Sequence, residues 1–272
     1  MKIKGKGLNL RELIFSFLRS HSLEKKATKI PFSIEQIGTK EYPVSISMLP
    51  SLLQCEKRGY SKLLQPYDQE ISKIERVANG SAIDAYSQCV YIGLSNHEEI
   101  MGILGELYPA ADLNHVADLG KNYVSRNLNE GVDEMGVSVG GEIDNVYFRG
   151  TLDQIRNGQV FDMKASQFGG NELLYNYFAQ LAGYSFFGDY KIGGILRASS
   201  LATPKRKPAK DTQKQVLFFA KDIFSNVDFL AECLLKKLAK RIKDIRNGEE
   251  PTRSISARHC KYCSIGIEQC LL

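Results

Sequence analysis

The chain contains no run of eighteen or more apolar residues, so nothing in it reads as a helix spanning a bilayer. It also lacks an unbroken apolar stretch near its start. Leu8–Leu18 is amphipathic and interrupted by Arg11 and Glu12, where a secretory signal would run on, so export is not expected. The basic Met1–Lys6 start fits an ordinary N-terminal helix better than an organelle-targeting leader. No internal repeat or low-complexity tract is visible, which sets aside solenoids and propellers. Trp is absent too, and that absence has no functional reading.

What is present is ordinary in bulk: 272 residues, 43% hydrophobic and 25% charged, enough to bury a good core. A net charge of +5 suits a polyanionic partner without requiring one. The chain has six cysteines, yet a protein of this size needs no disulfide staples. Three of them, Cys260, Cys263 and Cys270, crowd the last stretch with spacing C-x-x-C-x6-C. That spacing reads as a metal or cluster site in a reducing compartment, and a cytoplasmic location follows.

Two acidic segments carry the chemistry. Gly150-Thr151-Leu152-Asp153 is followed by Asn157-Gly158 and then Asp162-Met163-Lys164. Val137–Phe148 and Gly150–Ile155 are β-like, Asn157-Gly158 supplies a tight turn, and Gln159–Met163 is a short third strand. Alternate residues of a strand share a face, so Asp162 and Lys164 point one way while Phe161 and Met163 point into the core. A tight turn then sets Asp153 opposite Asp162, with Cβ atoms about 5 Å apart. Phosphodiester hydrolysis needs a divalent cation to polarise the phosphate, and Mg²⁺ and Mn²⁺ prefer carboxylate oxygens. A lysine beside them can orient or deprotonate water. A surface hairpin with an ordinary Asp–Lys pair has the same pattern, so Asp-x-Lys alone does not decide.

Around this centre, Ser45–Tyr60 reads as a helix capped by Ser47, and Ile71–Tyr91 as a second. Asn96–Asn129 is mostly helical, interrupted at Pro109. Helix resumes over Asn171–Phe187. Ile192–Leu201 and Gln215–Ala220 are strands joined by the Pro204–Lys214 loop, and Val227–Arg246 is an amphipathic helix ended by Asn247-Gly248. The order predicts an α/β or α+β domain with a central mixed sheet.

Downstream of the acids lies Gln180-Leu181-Ala182-Gly183-Tyr184, whose Gln180 and Tyr184 share one helix face. The whole arrangement resembles the PD-(D/E)xK nuclease superfamily, specifically its RecB-like branch. That branch carries Gly-x-x-Asp on one strand, Asp-x-Lys on the next, and then a helix with Gln-x-x-x-Tyr. The resemblance covers about residues 45–272 and leaves 1–44 as an N-terminal lead-in. It implies an α/β fold with a restriction-endonuclease-like core, a central mixed β-sheet flanked by helices. It also implies an Mg²⁺- or Mn²⁺-dependent deoxyribonuclease, most often an exonuclease on single-stranded DNA ends. Asp153 and Asp162 would bind the metal with the Met163 carbonyl, Lys164 would activate water, and Gln180 and Tyr184 would orient the substrate or the lysine.

One departure stands out. Members often carry a histidine ligand in a Gly-x-x-x-His context, whereas this chain has Gly80-Ser81-Ala82-Ile83-Asp84. Asp84 then becomes a third metal ligand, or an exposed helical acid. His97 and His115 fall outside the motif, and Glu142 and Asp144 read as structural or solvent-facing. Such nucleases serve CRISPR spacer acquisition, recombination and repair, and phage DNA processing, and no residue here selects among them.

Three thiolates do not close a metal site that wants four ligands. Cys55, Cys89 and Cys233 are the candidates for the fourth. Among RecB-like nucleases, the CRISPR-associated exonucleases and the nuclease domain of the AddAB helicase–nuclease hold a 4Fe–4S cluster on one early and three late cysteines. Cys55-Glu56-Lys57-Arg58-Gly59-Tyr60 resembles their early segment apart from a missing proline. The resemblance therefore implies a cluster on Cys55, Cys260, Cys263 and Cys270 that joins the N- and C-terminal pieces. Zinc fits the same spacing. Cys89 and Cys233 read as buried thiols in helices.

Lys205, Arg206, Lys207, Lys210 and Lys214 crowd the loop between the last two strands, where they can grip DNA phosphates or be simply solvated. Lys236, Lys237, Lys240, Arg241 and Lys243 read as the solvated face of the last helix. Tyr175 and Tyr177 are placed to stack on unpaired bases or to fill the core. A non-catalytic, cluster-bearing DNA-binding or adaptor protein of the same fold is the rival reading of the whole chain.

Overall fold

The computed structural model describes residues 31, 33–64, 75–121, 131–166, 170–198, 216–224 and 226–253. Its elements, in chain order, are β1 (Val44–Ser45), α1 (Leu49–Gln54), α2 (Glu56–Leu64), α3 (Glu75–Tyr91), α4 (His97–Leu107), α5 (Leu113–Leu119), β2 (Val132–Ile143), β3 (Val146–Arg156), β4 (Gln159–Ala165), α6 (Gly170–Gly188), β5 (Lys191–Ala198), β6 (Val216–Phe219) and α7 (Val227–Arg246). Among the described residues no helix is long and apolar enough to cross a membrane.

Two expected elements are each divided in two. The helix over Ser45–Tyr60 breaks at Cys55, whose backbone is extended (φ −164°, ψ 110°), so α1 stops and α2 starts afresh. Ser47 does not cap it: its Oγ lies 2.8 Å from Ser45 Oγ within a 3₁₀ turn. The strand expected over Val137–Phe148 turns back at Asp144 and Asn145. Both adopt left-handed φ values (51° and 64°), which a two-residue hairpin turn between right-twisted strands requires. Asn157 and Gly158 (φ 49° and 68°) make the second such turn where the sequence put it.

One six-stranded mixed sheet results, in the order β1-β3-β4-β5-β6, with β2 added along β3. β2 and β3 pair antiparallel from Met135↔Gln154 to Ile143↔Val146. The other edge of β3 is shared. Its beginning takes β1 in parallel (Ser45↔Arg149), and its end takes β4 antiparallel (Gln154↔Phe161 to Arg156↔Gln159). Between those two partners, residues 150–153 have no strand on that edge among the described residues. β4 meanwhile runs parallel to β5 over its whole length, so it diverges from β3 beyond Phe161. The sheet is therefore split where the acidic residues lie.

Apolar side chains bury both faces. One core joins sheet residues such as Leu152, Val160 and Ile195 to Leu173, Leu181 and Tyr184 of α6 and to Leu235, Ala239 and Ile242 of α7. Ile37 and Val44, expected in the lead-in, also lie in this core. A second core gathers Ala82, Ile83, Tyr86 and Cys89 of α3 with α4, α5 and Ala198. Two glycines let helices approach closely. Gly80 of α3 meets Ala165, and Gly183 of α6 meets Ile46.

β5 carries Gly193-Gly194 at its third and fourth positions, where the register against β4 slips between Val160 and Phe161. A Cβ on Gly194 would lie 1.9 Å from the Phe218 carbonyl oxygen, a backbone atom that cannot rotate away. Gly194→Ala is expected to destabilise the fold by about 3 kcal/mol, an overpacking penalty. A thermal midpoint equal to the parent's would show that the β5–β6 pair yields freely.

Candidate active site

The split in the sheet opens into a cavity of about 680 Å³. Asp153, Asp162, Lys164, Gln180 and Tyr184 all line it, and Asp84 of α3 reaches it as well. Extending the β3–β4 register by one pair sets Asp153 opposite Asp162, at the point where the ladder gives out. Met163 has lost its strand partner on β3, and its N–H donates instead to Asp153 Oδ2 at 2.7 Å. Because N–H and C=O of one strand residue face the same edge, the Met163 carbonyl also turns toward the gap.

Asp162 is the buried centre, at 1% exposure. Its Oδ1 accepts from Gln180 Nε2 at 2.9 Å, and Gln180 Nε2 also donates to Tyr184 Oη at 3.1 Å. Lys164 Nζ lies 2.5 Å from Asp162 Oδ2. The Asp162 carboxyl is raised to about 7: burial pushes it up most, the Lys164 ammonium pulls against that, and the Asp153 charge adds to the rise. Burial works against the Lys164 ammonium, but the two carboxylates outweigh it and hold the lysine above its ordinary value. Tyr184 is raised well above its normal range, first by burial and then by both acids.

Tyr177 completes the enclosure: its ring lies 4.9 Å from Lys164 Nζ, a cation–π contact. This ring cradles the lysine, a role not read from the sequence. The signal was available, since Tyr177 precedes Gln180 by one helical turn and shares its face. Tyr175 is 65% exposed and packs edge-on against Phe224.

The donor set is made of oxygen. Two carboxylates and a backbone carbonyl suit Mg²⁺ or Mn²⁺, which take one or two protein carboxylates and leave the rest of the shell to water and phosphate. Among the described residues, no three His, Cys, Asp or Glu side chains come together as one ligand group. Asp84 lines the same cavity, accepts from Gln88 Nε2 at 3.3 Å, and stands outside such a cluster. His97 starts α4 and its Nδ1 lies 3.0 Å from Tyr86 Oη, while His115 sits in α5. Glu142 and Asp144 are exposed.

Cys55 is buried between α1 and α2, with its N–H donating to Ser51 O. Cys260, Cys263 and Cys270 lie outside the described residues, as does the Lys205–Lys214 loop. Cys89 is buried, its thiol pushed up to about 12 by that burial, whereas Cys233 is exposed on α7 and is not the buried thiol expected. Position along an amphipathic helix sets that difference: Cys233 sits between the buried Ala231 and Leu235, on the outward face.

Arg241 also departs from expectation. It was placed on a solvated helix face, but it turns inward and grips Glu56 with Nε–Oε1 2.8 Å and Nη2–Oε2 2.9 Å. Glu56 Oε2 also accepts from Thr252 N at 2.6 Å and Thr252 Oγ1 at 2.8 Å, and Thr252 O accepts from Lys57 N. Thus the chain leaving α7 is tied to the residue next to Cys55. Lys236 and Lys240 do lie on the solvated face, each in an (i, i+4) pair, Lys236–Glu232 and Lys240–Asp244.

Burial pushes the Glu56 carboxyl up, but the Arg241 and Thr252 hydrogen bonds outweigh it, and the net shift is downward. A depressed carboxyl contributes stability above its unfolded value and loses it as pH falls through the folded one. Glu56→Gln is therefore expected to cost about 1–2 kcal/mol at neutral pH. The deficit should shrink as the buffer falls below about pH 4, where the unfolded carboxyl is protonated. A deficit that stays constant across that range would mean the charge on Glu56 contributes nothing.

No known family profile matches this chain, and no curated protein matches it in sequence. Its fold does match solved structures. One is a presumptive exonuclease from Eubacterium rectale, 15% identical, with a TM-score of 0.52 over 82% of this chain and 89% of that one. Another, named SSO0001, is 16% identical with a TM-score of 0.44, covering 94% of this chain and 96% of that one. The first shows a shared fold: a mixed α/β arrangement with a central sheet flanked by helices. The second score is too low to carry an argument.

Proposed function

We propose that this protein is a metal-dependent DNA nuclease of the PD-(D/E)xK, RecB-like kind, acting on single-stranded ends. The observation that carries the reading is the meeting of Asp153, Asp162 and Lys164 at the split between β3 and β4, with Gln180 and Tyr184 behind them. Asp153, Asp162 and the Met163 carbonyl would hold Mg²⁺ or Mn²⁺, with Asp84 facing the same cavity. A bound cation there would polarise the phosphate and neutralise charge on the leaving oxygen. Lys164, gripped by Asp162 and Tyr177, holds a fixed positive charge beside the reacting phosphate and orients the attacking water. Gln180 holds the orientation of the Asp162 carboxylate by donating to its Oδ1. Tyr184, kept protonated by burial, remains a hydrogen-bond partner rather than a base.

The proposal includes a 4Fe–4S cluster on Cys55, Cys260, Cys263 and Cys270. Support comes from Thr252, which is hydrogen-bonded to Glu56 and stands eight positions before Cys260. Eight residues reach at most about 28 Å, ample to return to Cys55. The test is digestion of single-stranded DNA in Mn²⁺, comparing open and end-blocked substrates. Loss of the open substrate alone supports an exonuclease, and cutting of both an endonuclease. Stable DNA binding with neither cut would favour the adaptor reading.

A further inference from the structure

The cavity has a second end that the proposed chemistry does not use. Arg149, Thr151 and Asp153 alternate along β3, so their side chains point to one side of it. The pairings add two hydroxyls to that side: Ser138 lies opposite Thr151, and Ser45 lies opposite Arg149. Ser47 joins them through its contact with Ser45. All of these side chains line the same cavity as the acids.

The groups differ from the acidic end in how their hydrogen-bonding capacity is used. Asp162 accepts from Gln180 and is ion-paired with Lys164, and Gln180 also donates to Tyr184. Arg149 has no ion-pair partner among the described residues, and it is exposed at the cavity mouth. A guanidinium offers five donors in a planar fork, matched to a phosphate's oxygens, and the neighbouring hydroxyls can add further donors. Arg149 and Asp153 are four residues apart, about 13 Å along the strand, so one phosphate does not span from the acids to this rim.

We infer that Arg149, with Thr151, Ser138 and Ser45, forms a phosphate-binding subsite that takes a phosphate next to the one at the acidic centre. This rests on the nuclease reading for the identity of the strand, since the acids define where the scissile phosphate sits. A cationic rim beyond an acidic centre also solves an electrostatic problem. The carboxylates repel a polyanion, and a guanidinium on the same strand offsets that repulsion while fixing the register of the substrate. The phosphate can be an internal diester or a terminal monoester, and the two share the oxygens that Arg149 would grip.

The test is fluorescence anisotropy of labelled single-stranded oligonucleotides on the full chain in Ca²⁺, with the DNA checked afterwards for integrity. Arg149→Ala is expected to weaken binding about tenfold and to reduce the slope of log affinity against log salt by about 0.7, one single-strand phosphate contact. Thr151→Val should weaken it less without changing the slope. Lys236→Ala, on the exposed face of α7, should change neither. A loss confined to phosphorylated ends identifies a terminal phosphate, and an equal loss on hydroxyl ends identifies an internal diester. Unchanged affinity and slope in Arg149→Ala, or no binding by the parent, overturns the subsite. Hydrolysis in Mn²⁺ is scored in parallel. Turnover with an intact Arg149→Ala slope removes the subsite alone, whereas a lost slope without turnover removes the nuclease reading alone.

Discussion

Lys164→Gln is expected to lower Mn²⁺-dependent degradation of end-labelled single-stranded DNA by at least about 100-fold, the usual loss when a positioned proton donor or charge stabiliser is removed. Glutamine keeps most of the side chain's reach and a hydrogen-bond donor for Asp162, but not the charge. The expected signature is a fall in kcat with little change in KM, because a charge aimed at the reacting phosphate acts on the transition state more than on the bound substrate. Asp162→Asn should be at least as damaging. It removes a proposed cation ligand and the counter-charge that holds Lys164 in place. Tyr177 offers a milder control, since its ring lies against the Lys164 ammonium. Equal rates for parent and Lys164→Gln would end the catalytic reading and leave a DNA-binding protein.

Cys55→Ser carries the second large effect. If Cys55 joins the three late cysteines, the crosslink closes a loop of roughly two hundred residues. The chain-entropy estimate for such a loop is about 5 kcal/mol, and the thermal midpoint should then fall by roughly 10 °C. Protein purified without oxygen should lose its brown colour together with iron and sulfide in equal amounts. The Arg241–Glu56–Thr252 grip is independent of the thiol, so α7 and α2 should stay docked in the variant. A colourless parent holding zinc in place of iron would replace the cluster with a zinc site. An unaltered colour and midpoint in Cys55→Ser would remove Cys55 from the ligand set.

Some of this was legible from residue order. Alternation on β4 sent Asp162 and Lys164 toward α6 and Met163 toward α3, where Ser87 Oγ meets its sulfur at 3.9 Å. The Asn157-Gly158 turn fixed the β3–β4 register, because its left-handed backbone matches only a two-residue hairpin loop. Helical spacing put Gln180 and Tyr184 on one face. The Asp144-Asn145 turn was missed, since two polar residues between apolar runs looked like a strand facing solvent. The break at Cys55 was missed as well, because the apolar spacing continues across it.

What the sequence by itself determined is local: which residues alternate, which share a helix face, and where the chain can turn. These follow from backbone periods of two and 3.6, and they need no partner. Only the tertiary structure decided that β3 gives one edge to two different strands and leaves residues 150–153 between them. Strand pairing is a competition among distant segments for the same hydrogen bonds, and no period in the chain records who wins it. The same holds for Arg241, whose inward turn depends on Glu56, a residue from the other end of the fold. A row of arginine, hydroxyl and acid along β3 lines a cleft because the sheet divides beside it.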